Sequence, residues 1–360
     1  MKKKNKIKIL PMEVIKWISN EFPGIWDEMK KLEPLKQEYK WPDWCYMPIS
    51  IVLDNLSELY GYDQTVSVAG LAVGLAGWRK YKNIFLVNQE LAKELNAAEL
   101  DDVIPVEALD QLPYPYVYVQ IQGENLGALV FREYDSKNGW NELRLYIIDE
   151  QAEILSQPIL HLKPGGTIRE AMDEADEFGK ANMKKFNLFA GMNEQMRTQL
   201  QAAFEDAYSV ARKFTLDFMP LILYLCAENA EISQPMSITG EKKSVQLKPI
   251  NAPKDKAGEL SFFPVGEEVG IRIRDYKKNQ QNPDRNSVDE NGIPKPNGKG
   301  GSKKSPHVRR GHYHHYWKGS RTQGTRELVL RWIAPMFIHG GQETPVTINV
   351  IRQRKKEEEK

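Results

Sequence analysis

Apolar residues recur every three or four positions at the start of this chain and every second position in its middle, a change of period that separates helices from strands. Val14, Ile18 and Phe22 share one helix face, and Pro23 is placed to begin a short second helix carrying Ile25, Met29 and Leu32. The segment Trp41-Pro42-Asp43-Trp44-Cys45-Tyr46-Met47-Pro48 holds two prolines and cannot be a regular helix. It reads as an extended aromatic cover over a core, with a peptide groove as the other use of such a stretch. Ile51 to Tyr60 reads as a helix closed by Gly61, and Asp63 is positioned to cap the next one. That next helix carries Gly70, Gly74 and Gly77 among Ala69, Ala72 and Ala76, a small-residue spacing that predicts close helix packing inside a soluble domain. Ile84 to Val87 predicts a strand, followed by a helix through Leu95 with Asn88 as its cap.

After Pro113 the alternation is that of strands. Tyr116–Gln122, Leu126–Tyr134, Glu142–Asp149 and Ile154–Leu162 predict a meandering, mainly antiparallel sheet, with Asn138-Gly139 as a hairpin turn. The glycine pair Gly165-Gly166 precedes a helix but no Gly-Lys-Ser/Thr element follows. Thr167 and Glu170 instead fit a capping box that starts the helix without a ligand. That helix runs through Phe186, and another runs from Asn193 to Cys226, kinked or restarted at Pro220, with Phe214, Phe218, Leu221 and Leu225 on its core face. From Val265 to Ile273 the period fits helix and strand equally. Asp275–Ser305 has almost no apolar residue and reads as a mobile loop. The fold class is therefore α+β: a helical N-terminal region (1–112), a sheet with long helices (113–232), a loop-rich connection (233–305, mobile from 275), and a C-terminal β-hairpin packed back on the sheet with a charged tail (306–360).

Composition narrows the function classes. With 360 residues, 41% hydrophobic, 28% charged and a formal charge of +1, the chain is long enough for a large core and carries no global basic field. Basic residues cluster locally in Met1–Lys8, Lys295–Arg331 and Arg352–Lys360. The two cysteines, Cys45 and Cys226, lack zinc-site spacing and sit among apolar neighbours, which predicts buried thiols in a reducing cytoplasm. Pro11, Glu13 and Lys16 interrupt any signal-peptide core. Phe214–Ala227 is shorter than the ~20 residues of a spanning helix, so a cytoplasmic location with no membrane partner is expected.

The chemistry concentrates near the C-terminus, where five of the six histidines fall. Pro306-His307-Val308-Arg309-Arg310-Gly311-His312-Tyr313-His314-His315-Tyr316-Trp317 and Leu328-Val329-Leu330-Arg331-Trp332-Ile333 predict a hairpin closed through Gly319–Gly324. His312, His314 and Tyr316 then project to one side, and Tyr313, His315 and Trp317 to the other. Three readings stay open on the residues alone. His312 and His314 share a face as metal ligands would, without a third ligand at a characteristic spacing. Arg309, Arg310, Arg321, Arg326 and Arg331 with Tyr313, Tyr316 or Trp317 suit RNA phosphate and base stacking, and a histidine there could serve a ribonuclease as general acid or base. Alternatively the same side chains brace the last strands. No nucleophile is paired with a base, so neither a catalytic residue nor a metal or cofactor site is assigned.

The motif Pro306-His307-Val308-Arg309-Arg310-Gly311-His312, with Tyr316-Trp317-Lys318-Gly319 and Arg331-Trp332-Ile333-Ala334-Pro335, resembles the C-terminal signature of the type V-A anti-CRISPR family of the "A two" type and its plasmid- and phage-borne relatives. Weaker similarities lie at Leu112–Val119, Phe218–Cys226 and Val265–Arg274. The resemblance implies a regulator on a mobile element. It would bind the nascent polypeptide of a type V-A effector nuclease or similar target near the ribosome and lower its expression through loss of the message. The candidate binding residues are His307, Arg309, Arg310, His312, His314, Tyr316, Trp317, Arg331 and Trp332, with mRNA or the ribosome as further partners. The Trp41–Tyr46 segment is a second candidate surface for a peptide, and RNA binding or cleavage is the alternative function.

Overall fold

The computed structural model describes residues 9–98, 100, 103–136, 138–185, 194–236, 260–280, 307–320, 322, 324–339 and 342–344. The N-terminal region is helical, as its period requires: α1 (Leu10–Glu21), α2 (Ile25–Leu32), a single turn α3 (Lys36–Tyr39), α4 (Ile49–Tyr60) and α5 (Tyr62–Tyr81). Val14 and Ile18 are fully buried on the inner face of α1. Gly61 closes α4 at φ +86°, where a side chain would be strained, and the same residue is the N-cap of α5, so Asp63 lies in the first turn and does not cap it. The aromatic segment is a cover: Trp41, Cys45 and Met47 are buried, while Trp44 and Tyr46 lie beneath the cations of Arg132 and Lys80. Both thiols are buried, and burial pushes their pKa values up.

One sheet of seven strands organises the molecule. The predicted meander forms β2 (Tyr116–Ile121), β3 (Gly127–Asp135), β4 (Trp140–Ile148), β5 (Ile154–Ser156) and β6 (Ile159–Leu162), with antiparallel pairing throughout and Gly139 at φ +71° in the β3–β4 turn. β1 (Asn83–Val87) adds parallel to β2, and β7 (Ser261–Val265) adds parallel to β1, giving the order β5-β4-β3-β2-β1-β7 with β6 also on β4. Between β1 and β2 lies α6 (Gln89–Ala97), whose cap Asn88 accepts from the amides of Glu90 and Leu91. Strand alternation sends side chains to two cores. Val117, Val119, Val130, Leu143, Leu145 and Ile147 face α6 and the long helices. Tyr116, Tyr118, Leu129, Phe131 and Tyr146 face the N-terminal helices.

The small-residue helix α5 packs against α4 and α1 and also, through its glycines, on this second face of the sheet. A Cβ at Gly70 would lie 2.2 Å from the Tyr146 hydroxyl, at Gly74 2.3 Å from the Phe131 ring, and at Gly77 2.4 Å from the Tyr116 ring. Three glycines on one helix thus seat three rings from adjacent strands. The rings themselves stack, Tyr116 on Phe131 at 5.4 Å and Phe131 on Tyr146 at 6.0 Å.

The remaining helices are α7 (Ile168–Lys185), α8 (Glu194–Cys226) and α9 (Glu267–Gln280). The capping box starts α7: Thr167 N donates to Glu170 Oε2 at 2.8 Å and Glu170 N to Thr167 Oγ1 at 3.2 Å. α8 runs through Pro220 without a break, so the helix does not restart there. Phe218, Leu221 and Leu225 are buried around that position, and their packing holds the helix across the missing amide. The stretch after Phe262 ends β7 and then forms α9, divided by Gly266 at φ +69°, so the ambiguous positions Val269, Ile271 and Ile273 are helical. The expected loop from Asp275 begins as helix through Gln280, and 281–305 lies outside the described residues.

At the C-terminus, β9 (His312–Lys318) and β10 (Glu327–Ile333) form the expected hairpin as a separate two-stranded sheet. A three-stranded sheet joins β8 (His307–Arg309), β11 (Met336–His339) and β12 (Gln342–Thr344). The hairpin reaches the shared core by packing on α8 and on the short 3₁₀ helix Val106–Gln111, without pairing a strand of the large sheet.

Candidate functional site

The hairpin register decides which of the predicted residues meet. Tyr313 pairs with Trp332, His314 with Arg331, His315 with Leu330 and Tyr316 with Val329, and directly opposed residues share a face. The inner face carries Tyr313, Leu328, Leu330 and Trp332, all buried. Burial pushes the Tyr313 phenol up, and its hydroxyl donates to the Pro220 carbonyl of α8. Trp332 meets Tyr224 edge-on at 5.5 Å. The turn after α8 stitches the other side of β10. Glu228 N donates to Leu330 O at 2.8 Å, Asn229 Nδ2 to Trp332 O at 2.8 Å, and Trp332 N to Asn229 Oδ1 at 3.0 Å. Gly311 is buried against this inner face, and a Cβ there would lie 3.0 Å from the Trp332 ring.

The outer face collects His312, His314 and Tyr316 opposite Ile333, Arg331 and Val329. His314 and Tyr316 rings are 6.2 Å apart, and the Arg331 guanidinium lies 5.8 Å from the Tyr316 ring. Arg331 donates from Nε at 2.9 Å and reaches from Nη2 at 2.8 Å to Glu228 Oε2, a hydrogen bond that raises its pKa. Both partners are about half exposed, so the pair fixes the side chain more than it stabilises the fold. At the tip, Arg326 lies 5.2 Å over the exposed ring of Trp317. Of the predicted residues, then, His312, His314, Tyr316 and Arg331 belong to one hairpin surface, Trp317 is exposed at the tip on the opposite face, across from Leu328, and Arg310 is exposed just before the hairpin. Trp332 is turned into the core and supports that surface from behind. His307 and Arg309 lie on β8, with their side chains outside the described residues, as is Arg321. Among the described residues no three of His, Cys, Asp and Glu are grouped to hold a metal ion.

A second feature shares no residue with the hairpin. A cleft of 1120 Å³ is lined by α1 and α5, by α7 and α8, and by the β4–β5 turn with β5 between them. Trp17 and Leu155, 48% and 44% exposed, are its large apolar side chains at the surface. Its charges are Glu13, Glu153, Asp176 and Arg212, and Arg212 is ion-paired with Asp176 and, at 3.3 Å, with Asp173. Sequence reasoning missed this cleft because its lining is drawn from distant segments. The available signal was a large apolar residue out of phase: Trp17 lies off the Val14–Ile18 face of α1.

An α+β protein built on one mixed sheet, with helices on both faces and a strand pair stitched to the end of its longest helix, is the class these features define. A model of the AcrVA2-like family, anti-CRISPR type V subtype A2, matches residues 85–340, and the chain belongs to that family. The match runs from β1 through β11 and so includes the hairpin. A solved structure, "Crystal structure of AcrVA2", superposes with a TM-score of 0.54 at 18% identity, covering 92% of this chain and 99% of that one, a likeness of fold. No curated protein sequence matches. No described helix is long and apolar enough to cross a membrane.

Proposed function

We propose that this anti-CRISPR protein acts in the cytoplasm, encoded on a plasmid or phage. On this reading it binds the emerging polypeptide of a type V-A effector nuclease or similar target and lowers that target's expression through loss of its message. Membership of the anti-CRISPR type V subtype A2 family, across residues 85–340, is the observation that carries this reading. The chemistry of the hairpin face supports a protein partner over RNA. Arg331 is already matched by Glu228 and Lys318 stands opposite Glu327, so on this face two of the cations have a carboxylate beside them. The His314 and Tyr316 rings offer a polypeptide surface to pack on.

The test is a reporter whose first codons encode the effector's N-terminal segment, expressed with and without this protein. Reporter protein and message should both fall. Synonymous recoding of the segment should preserve the fall, and a compensated frameshift that keeps the nucleotides but changes the peptide should abolish it. Unchanged protein and message, with soluble protein present, refutes the proposal. A fall that survives the frameshift replaces polypeptide recognition with RNA recognition.

A further inference from the structure

β5 is the terminal strand of the large sheet and pairs with β4 alone among the described residues. An edge strand presents main-chain donors and acceptors outward, and such an edge normally needs covering or blunting. Here α8 packs on β5, and a cleft lined by β5 opens between α1 and α5 on one side and α7 and α8 on the other. At 1120 Å³ the space exceeds the ~300–1,000 Å³ of pockets for drug-sized ligands, and the lining is spread over three helical or strand walls, which suits a chain segment better than a small molecule.

The lining also states what kind of segment fits. Trp17 and Leu155 expose large apolar surface, with Leu71 and Met172 deeper in the same cleft. Of the lining carboxylates Glu13 is paired with Lys16 at 2.8 Å, and Arg212 is shared between Asp176 and Asp173. The negative charge therefore rests on Glu153 and on the Asp173–Asp176 pair that one guanidinium only half neutralises. The field inside is therefore acidic. An extended peptide laid along an edge strand sends alternate side chains to opposite sides, so one set can meet an apolar wall while the other meets carboxylates.

We infer that the cleft beside β5 is a binding site for an extended peptide segment in which apolar side chains alternate with lysine or arginine. The inference rests on the polypeptide-binding part of the reading above, and it separates the peptide seat from the hairpin face.

The experiment selects a displayed library of randomised twelve-residue peptides on the full-length protein, with counter-selection on the Leu155→Glu variant. Enriched peptides are then synthesised and titrated by fluorescence anisotropy. They should be rich in Lys or Arg and poor in Asp or Glu. Affinity should fall at least tenfold in Leu155→Glu and in Trp17→Ala, two exposed positions on different walls, and should also fall in Glu153→Lys. Circular dichroism and urea midpoints verify that each variant is folded, and Trp17→Ala carries the test alone if Leu155→Glu is not. Backbone N-methylation of the peptide should weaken binding by removing its main-chain donors. Failure to enrich any peptide, or equal affinity for both folded variants and the wild type, overturns the inference. The reporter assay above, repeated with both variants, distinguishes the two claims. If selected peptides bind the cleft but the wild type leaves the reporter unchanged, the cleft stands and the nascent-chain reading falls. If the reporter falls equally with wild type and both folded variants, the cleft is not the seat of the target polypeptide.

Discussion

Replacing Gly74 by alanine sets two effects of opposite sign against each other. In a solvent-exposed helix interior the change would stabilise by about 1 kcal/mol, because glycine is the poorer helix former. In α5 the added Cβ would lie 2.3 Å from Phe131 Cε1 and 2.8 Å from Cδ1. Phe131 is fully buried and stacked on both sides, by Tyr116 at 5.4 Å and Tyr146 at 6.0 Å, so its ring has no space into which to retreat. Overpacking of this kind costs about 1–3 kcal/mol, and disturbing two ring stacks costs about 0.5–1.5 kcal/mol each. Set against the helix-propensity gain of about 1 kcal/mol, the net expectation is a loss of about 1–5 kcal/mol. Urea unfolding of the full-length chain, followed by tryptophan fluorescence, reads this directly. Phe131→Leu should partly rescue Gly74→Ala, with the double variant losing at least about 1 kcal/mol less than the sum of the singles. A Gly74→Ala protein as stable as the wild type would mean that helix propensity wins and that α5 does not seat on the rings.

Glu133 offers a test by pH. Its carboxyl is buried, and burial pushes its pKa from an ordinary 4.5 up to about 8, with one oxygen accepting from Ile49 N at 2.7 Å. A folded-state pKa raised in this way contributes stability that is complete below about pH 4.5 and drains away as pH rises towards 8. Glu133→Gln keeps the acceptor for Ile49 and cannot ionise, so its melting temperature relative to wild type should rise between pH 5 and pH 8 and then level off; parallel profiles would count against it. Ala152, in the β4–β5 turn, sits at φ +68°, where an L-side chain is strained. Ala152→Gly should therefore raise stability by up to about 1 kcal/mol in chemical denaturation, despite adding a glycine, and a loss above that size would show that the Ala152 methyl matters more than the strain.

The elements with a single dominant signal were legible in the sequence. The inner face of α1, the Asn88 cap, the Asn138-Gly139 turn, the Thr167–Glu170 box and the alternating strands of the meander each depend on neighbours within a few residues. The hairpin was legible too, because its alternation states which side chains share a face. What escaped depends on distant partners. Glycines 70, 74 and 77 announced close approach but not that rings from three strands would fill the gap. Pro220 lacks an amide, yet tertiary packing of Phe218 and Leu221 keeps the helix whole. In the Val265–Ile273 stretch the helix reading holds: Val269 and Ile273 are buried on α9. Ile271, which completed the strand alternation, is exposed on the same helix, while the strand β7 ends at Val265 before Gly266. The parallel partnership of β1 with β7 has no local signature at all, and neither has the cleft.

That partnership bears on how the protein itself is made. β1 ends at Val87 and its second neighbour, β7, ends at Val265, so one edge of β1 stays open until that later strand has left the ribosome. Tyr313 must emerge later still before it can donate to Pro220. Contacts of such long sequence separation carry a large loop-closure entropy and slow the final step of folding. A chain stopped just before Ser261 would display the buried-sheet strand Ile84-Phe85-Leu86-Val87 as an unpaired apolar edge, the form of exposed backbone that other chains add to most readily. Interrupted synthesis of this protein therefore yields an aggregation-prone product, not a shorter working one.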